Sequence, residues 1–205
     1  MHARTTMLQA RADAVDDMVR LVEELRGPVG QIDGNLGMSM LADRDSGRCI
    51  ITSSWTDKGV MQASAEAVRP MRDRLAEFAS EPWMVQEWEI AVLHRKRPAD
   101  AGACARVAWL QGQPEEADTG ISLYRSQVVP ALDELPGFCS ASLLVDRASG
   151  RSVSSVAYEN RDRLRATRPA AEELRNRTVQ QLHSHVYEVA EFELALSHLR
   201  VPEMA

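Results

Sequence analysis

Two glutamines stand at matching places in the chain, in the segments M-L-Q-A and W-L-Q-G. Gln9 and Gln111 each lie near the end of a predicted strand. A glutamine amide offers both hydrogen-bond donors and an acceptor, so it could orient a phenolic oxygen in a binding pocket. The alternative is an exposed residue at the end of a strand. The pair is therefore a candidate for orienting a substrate.

Three aromatic residues could form the wall of such a pocket. Trp55 and Tyr158 end equivalent predicted strands, and an aromatic side chain there could stack on an aromatic ligand. The alternative is that both pack as core between strand and helix. Trp83 follows Pro82, so we expect it on a loop, where it could adapt to a ligand. These three residues join the two glutamines as substrate-binding candidates.

The histidines are the obvious metal-ligand candidates. His183 and His185 alternate at the predicted start of the last strand, where both imidazoles would face the same side. No third ligand follows at a fixed spacing, so the sequence predicts no metal site. His94 and His198 end matching fourth strands. Nucleophile motifs and Gly-rich phosphate loops are also absent from the sequence. We therefore predict no cofactor and assign no catalytic residue.

A repeat organises the whole chain. The segment from Asp43 to Arg48 (D-R-D-S-G-R) recurs from Asp146 to Arg151 (D-R-A-S-G-R), 103 positions later. Asp, Ser and Gly between apolar runs are typical of a hairpin turn. The flanking arginines could bind an anion, or the turn could simply be a solvated tip. The repeat predicts two copies of one fold.

The first copy has the predicted order βαββαβ. A stripe of apolar residues predicts a first helix that ends at Gly27-Pro28. Asp57 is the expected cap of a long second helix over residues 59–79. Because Pro70 lies inside that helix, we expect a kink or break there.

The second copy repeats this order, with a first helix bent at Pro130 and a second helix over residues 161–182. The βαββαβ order is that of a ferredoxin-like unit, whose helices cover one face of an antiparallel sheet. The other face needs a partner, and the second copy supplies it. The predicted domains are 1–94 and 104–205, joined by a linker at 95–103.

Composition excludes several classes of protein. The chain has 205 residues and a net charge of −6, which argues against binding to nucleic acid or an anionic membrane. The N-terminus lacks an apolar signal core, and no apolar run is long enough to span a membrane. The three cysteines are an odd number without metal-ligand spacing. These features favour a reducing cytoplasm.

Three segments carry a family resemblance: Leu135-Pro-Gly-Phe138, Leu143–Arg151 and Ser53–Asp57. With them, the chain resembles a tandem member of the antibiotic-biosynthesis-monooxygenase-like dimeric α+β barrel family. This resemblance implies a pocket between the sheet and the helices of a unit. It also implies cofactor-independent oxidation of quinol-like or polyphenolic aromatics. Haem-degrading members use an Asn in strand one and a His in helix two. Here Gln9 and Gln111 stand in strand one, and residues 59–79 contain no His.

The sequence therefore predicts an α+β chain of two ferredoxin-like units, packed sheet to sheet as an intramolecular dimeric α/β barrel. The protein would be a monomeric pseudo-dimer or a homodimer. Its function would be that of a cofactor-independent monooxygenase for a small aromatic molecule. The alternative is a non-catalytic small-molecule-binding or structural module. Because the copies differ at pairs such as Met38 and Ala141, we expect one working pocket for a small apolar or aromatic ligand.

Overall fold

The computed structural model describes residues 1–204, except for the side chains of Ala12 and Leu199. Its eight strands are β1 (His2–Gln9), β2 (Asn35–Ala42), β3 (Arg48–Trp55), β4 (Met84–Arg95), β5 (Cys104–Gln111), β6 (Phe138–Asp146), β7 (Arg151–Tyr158) and β8 (His185–Leu199). They form a closed barrel in the order β1-β3-β2-β8-β5-β7-β6-β4. The predicted α+β class and dimeric barrel are confirmed.

Seven α-helices accompany the strands: α1 (Val15–Gly30), α2 (Lys58–Ala63), α3 (Ala65–Ala76), α4 (Ala117–Leu123), α5 (Val129–Asp133), α6 (Arg161–Ala166) and α7 (Arg168–Gln181). A π-helical turn, Tyr124–Val128, joins α4 to α5. No helix within residues 1–204 is long and apolar enough to cross a membrane.

The chain divides into two compact units. Unit 1 comprises Met1–Trp88 and Leu194–Val201, and unit 2 comprises Glu89–Glu193 and the residues from Pro202. Each unit has its own apolar core under its helices. The domain limits derived from the repeat, 1–94 and 104–205, stay a prediction.

The two predicted hairpins have the same register. In unit 1, β2 pairs with β3 from Asn35↔Trp55 to Ala42↔Cys49. In unit 2, β6 pairs with β7 from Phe138↔Tyr158 through Val145↔Ser152, the same register at the repeat offset of 103. The turn glycines Gly47 and Gly150 have φ of 80° and 73°, a conformation that glycine adopts without steric cost. The predicted turn chemistry is confirmed, because the Asp43 carboxylate accepts hydrogen bonds from Asp45 N and Ser46 Oγ.

The first helix is longer than its sequence predicts. Gly27-Pro28 does not end α1, which continues to Gly30. The buried side chain of Val29 gives this last turn apolar contacts with the core. Pro28 removes only one backbone hydrogen bond near the helix end, so burial of Val29 can compensate for it.

The second helix breaks at a different place from the one predicted. The break in unit 1 is at Ser64, and α3 passes through Pro70. Arg4 Nη2 donates to the Met61 carbonyl at 2.8 Å, and Ser64 Oγ donates to the same oxygen at 2.7 Å. That carbonyl would otherwise accept the backbone N–H of residue 65. A buried arginine therefore breaks the helix.

The same break occurs in unit 2, where one helix was predicted over residues 161–182. There α6 ends and α7 begins around Thr167. Arg106 Nη2 and Thr167 Oγ1 both donate to the Leu164 carbonyl, at 2.6 and 3.0 Å. Arg4 and Arg106 thus make equivalent hydrogen bonds at the helix break of their units.

Candidate functional site

Unit 2 contains a cavity of about 140 Å³ between its sheet and its helices. Strands β5, β6 and β7 supply one wall, and α4, the π-helical turn, α5 and α7 supply the other. The strand residues that face it alternate in sequence, as side chains on one face of a sheet must. From β5 these are Arg106, Ala108 and Leu110, and from β7 they are Ser152, Ser154, Val156 and Tyr158.

Most of the cavity wall is apolar, with Ile121, Val128, Leu143, Val145 and Leu174 among its residues. A handful of polar groups interrupt this surface. A largely apolar enclosure with few polar groups is typical of small-molecule sites. The arrangement can therefore hold a small apolar body and fix its orientation at a few polar points.

Tyr124 is one of these polar points. It begins the π-helical turn, and its hydroxyl lies 2.8 Å from Ser154 Oγ. Burial raises the pKa of Tyr124 to about 12, against the opposing hydrogen bond with Ser154. The side chain is therefore a neutral hydrogen-bonding group at ordinary pH. Insertions of this kind into α-helices occur frequently at functional sites. Pro130, where the sequence predicts a bend, lies two residues after this turn, in the first turn of α5.

Arg106 and Tyr158 form a second polar point. The Arg106 side chain is 5% exposed and makes an ion pair with Glu191 at 3.0 Å. Its guanidinium carbon lies 5.6 Å from the centre of the Tyr158 ring, within cation–π distance. Burial raises the pKa of the Tyr158 hydroxyl, while nearby Thr167 and Arg106 act in the opposite direction.

Arg175 and Glu116 are the other charged residues of the wall. Arg175 is half-buried on α7 and forms no ion pair within residues 1–204. Burial lowers the pKa of its guanidinium, Arg106 acts in the same direction, and the carboxylate of Glu172 opposes both. Glu116 belongs to the short helical turn after β5, where Gly112 and Gln113 also face the cavity.

At two positions equivalent to residues of the cavity wall, unit 1 has larger apolar residues. At the repeat offset of 103, Ser154 corresponds to Ile51, and Thr178 to Leu75. Both Ile51 and Leu75 are buried in the core of unit 1. Smaller and more polar residues therefore leave space in unit 2 where the sequence of unit 1 fills it.

The two predicted glutamines bind backbone carbonyls. Gln111 Nε2 donates to the Ser149 and Gly112 carbonyls at 2.7 and 2.9 Å. Gln9 Nε2 makes the equivalent bond to the Ser46 carbonyl. Each amide thus ties the end of a strand to its hairpin turn. Neither glutamine lines the unit 2 cavity, and their role in substrate orientation stays a prediction.

The aromatic candidates are separated by the fold. Tyr158 lines the cavity. Trp55 is fully buried with Met61 and Val68, and its indole N–H donates to Ser53 Oγ at 3.1 Å. Trp83 directly precedes β4 and packs, partly buried, against the core of unit 1. Of the five candidates, the structure therefore places one in the cavity.

The histidine pair does not share a strand face as predicted. His183 lies in a turn with a φ of 46°, and only His185 belongs to β8. No group of three or more His, Cys, Asp or Glu side chains within residues 1–204 is arranged to hold a metal ion. His94 instead lies between two carboxylates, with Nδ1 2.8 Å from Glu203 and Nε2 3.0 Å from Asp133.

Arg106, Tyr124 and Arg175 were not among the site residues that the sequence suggested. A signal for Arg106 does exist, because Arg4 and Arg106 precede Gln9 and Gln111 by the same five positions. An arginine inside a predicted apolar strand is unusual, since charged side chains are rarely buried unless paired. Tyr124 has no such signal, because its apolar spacing is that of an ordinary core residue.

The comparisons with known proteins agree with this fold. The sequence profile of the family described as "Antibiotic biosynthesis monooxygenase" (ABM) matches residues 1–68. An uncharacterized protein of Mycobacterium tuberculosis, Rv2558, is 45% identical over 206 residues, which cover 100% of this chain and 87% of that protein.

Two solved structures share the fold at low sequence identity. A Lactobacillus acidophilus protein, described provisionally as a monooxygenase, has a TM-score of 0.72 and 12% identity over 97% of this chain and 96% of its own. An anthrone oxidase-like protein has a TM-score of 0.68 and 12% identity, and the match covers 100% of this chain and 94% of that protein. These two structures therefore share with this chain the fold of two ferredoxin-like units. The chain belongs to the antibiotic biosynthesis monooxygenase family, as a two-unit member.

Proposed function

We propose that this protein is a cofactor-independent monooxygenase that oxidises a small quinol- or polyphenol-like molecule in the cavity of unit 2. The observation that carries the proposal is the cavity itself, which is mostly apolar and has a few fixed polar groups. Its volume of about 140 Å³ is close to that of the engineered cavity of about 150 Å³ that binds benzene. It therefore suits one aromatic ring.

The reaction needs no external reductant. A phenol with hydrogen on its para carbon and one O₂ become a para-quinone and water. One oxygen atom enters the ring, the other leaves as water, and the substrate supplies all four electrons. The protein's part is to hold the ring away from solvent, favour its ionised form and fix its orientation. Tyr158 serves as a wall of the site. Gln9 and Gln111 remain candidates for orienting the substrate, indirectly, because each holds a hairpin turn in place.

The proposal is tested by oxygen uptake with purified protein, a chelator and a panel of phenols and hydroquinones. Turnover should persist with the chelator, and for phenols with hydrogen on the para carbon, oxygen-18 from O₂ should appear in the quinone. Thr178→Leu introduces the residue of unit 1 and fills part of the cavity. It should lower kcat/KM by about tenfold or more, because pockets discriminate single methylene groups to that extent. The Thr178 hydroxyl donates to the Leu174 carbonyl of its own helix, so the fold should tolerate its loss.

Asn176→Leu on the exposed face of the same helix is the matched control and should leave turnover unchanged. Turnover that is abolished by the chelator, or that is equal in both variants, would refute the proposal.

A non-catalytic binding module is the second candidate, favoured by one observation. Burial raises the pKa of both cavity tyrosines, that of Tyr124 to about 12, so neither acts as a general base near neutral pH. Ligand binding without oxygen uptake across the panel would support this candidate. For either function we place the protein in the cytoplasm, a proposal supported by the three buried cysteines, which are free thiols.

A further inference from the structure

Arg106 has one hydrogen-bond donor more than its structural role requires. Its Nε and Nη2 donate to Glu191 at 3.2 and 3.0 Å, and Nη2 also donates to the Leu164 carbonyl. Its Nη1 is buried and has no hydrogen-bond partner within residues 1–204. An unpaired buried donor is costly, and more so when it is charged.

The equivalent arginine of unit 1, Arg4, shows which hydrogen bonds the fold alone requires of this side chain. Arg4 Nη2 bonds Glu87 and the Met61 carbonyl, which are the counterparts of Glu191 and Leu164. Its Nη1, however, donates to Ser64 Oγ at 3.4 Å. The shared bonds account for the buried arginine in both units. The unpaired Nη1 is peculiar to the unit that has the cavity.

Tyr158 carries a second unpaired donor at the same place. Its side chain is fully buried, and its hydroxyl has no partner of acceptable geometry within the described part of the chain. Unit 1 has Trp55 at the equivalent position, with its N–H satisfied by Ser53. Arg106 and Tyr158 both line the cavity, so two buried donors there have no acceptor.

The charge around this pair is positive. Arg175, half-buried, faces the same cavity without an ion pair in residues 1–204. The carboxylate of Glu191 is shared between Arg106 and Arg168. Glu116 follows the far end of β5, and Gly112 at that end is six positions along the chain from Arg106, a distance of roughly 20 Å. The Arg106 end of the cavity therefore suits an anion.

We infer that Arg106 Nη1 and the Tyr158 hydroxyl form an oxyanion-binding pair, and that the ligand is an aromatic ring bearing a phenolate or a carboxylate. This inference rests on the proposed function for the location of the ligand, and it names the class of that ligand. Charge-assisted bonds from both groups to one oxyanion would satisfy both donors at once. For a phenol, the same pair would hold the ionised form that reacts with O₂.

The test measures binding and does not depend on turnover. Benzoate and benzamide have the same shape and differ in charge, so calorimetric titration of both measures the preference for an anion. Benzoate should bind at least tenfold more tightly than benzamide. The phenolate arm uses 4-nitrophenol, whose ionised form is coloured. Bound 4-nitrophenol should ionise at a lower pH than free 4-nitrophenol.

Tyr158→Phe removes only the unpaired hydroxyl. It should weaken the binding of the preferred anion by roughly tenfold to a hundredfold, leave benzamide binding nearly unchanged, and not lower thermal stability. Tyr124→Phe is the matched control, since its hydroxyl faces the same cavity but bonds Ser154. That variant should lose stability and keep the preference for the anion.

The inference is supported if the protein prefers one of the two anions and Tyr158→Phe loses that preference. Preference for benzoate identifies the group as a carboxylate, and preference for ionised 4-nitrophenol identifies it as a phenolate. Equal binding of benzoate and benzamide without a shift for 4-nitrophenol overturns it, and so does no binding of any probe. Anion binding without oxygen uptake would refute the oxygenase and leave the oxyanion pair standing. Oxygen uptake with no preference for an anion would support the oxygenase and refute the oxyanion pair.

Discussion

Replacing Gly150 with alanine should destabilise the protein strongly, for reasons that can be separated. Gly150 has a φ of +73°, which costs an L-residue roughly 1–2 kcal/mol. A Cβ there would lie 2.3 Å from the Gly112 carbonyl oxygen. Relieving this clash would disturb the 3.0 Å bond from Gly112 N to the Gly150 carbonyl, worth about 1 kcal/mol. We expect a total loss of about 2–4 kcal/mol and a fall in Tm of roughly 5–15 °C.

Two other glycines separate the conformational cost from the clash. Gly102 has a φ of +88° with nothing within 4 Å of the added Cβ, so Gly102→Ala should cost only about 1–2 kcal/mol. Gly30 ends α1 with equally open space and no positive φ, so Gly30→Ala should stabilise by up to about 0.5–1 kcal/mol. Urea unfolding followed by circular dichroism measures all three. A loss for Gly150→Ala no greater than that for Gly102→Ala would refute the role given to the Gly112 contact.

Two further predictions concern the ends of elements in unit 2. Burial alone would lower the pKa of His94, but hydrogen bonds to Asp133 and Glu203 outweigh it and raise the pKa above 6.5. The stabilisation is therefore complete below pH 6.5 and is lost as pH rises through the folded-state pKa. The free energies of unfolding of the wild type and His94→Gln should therefore converge at alkaline pH. A difference in free energy that stays constant across pH would contradict this prediction. The Asn160 side chain accepts a bond from Arg163 N at 2.9 Å. Asn160→Ala should lower the free energy of unfolding by about 1 kcal/mol, and Asn160→Asp should not, because aspartate also caps helices. Urea unfolding measures both variants, and equal losses would exclude capping as the cause.

Local sequence signals predicted the elements well. Asp57 caps α2 as expected, and Val15, Met18, Val22 and Leu25 form the buried stripe of α1. The repeat at Asp43 and Asp146 located both hairpins. These features depend on neighbours in the chain or on one short turn, so a single sequence contains their causes.

Longer-range contacts decided what the sequence did not show. Helix two breaks where Arg4 and Arg106 bind a carbonyl 57 and 58 positions away. Pro70 lies inside α3 and does not mark the break in unit 1, whereas Pro169 lies in the first turn of α7, just after the break in unit 2. The cavity likewise depends on which positions of α7 and β7 face each other. Thr178 and Ser154 acquire significance only after the fold aligns them with Leu75 and Ile51 of the other copy.

The limits of the two units have a consequence for dissecting the chain. Residues 89–95 of β4 belong to unit 2, where they pair with β6, while residues 194–199 of β8 belong to unit 1. Cleavage in the segment between β4 and β5 would therefore leave each fragment holding a strand segment that the other unit requires. The gene could be divided there only if both fragments were produced together and complemented each other, as the halves of a split reporter do. Neither half contains the whole of one unit, although the sequence is visibly a duplication.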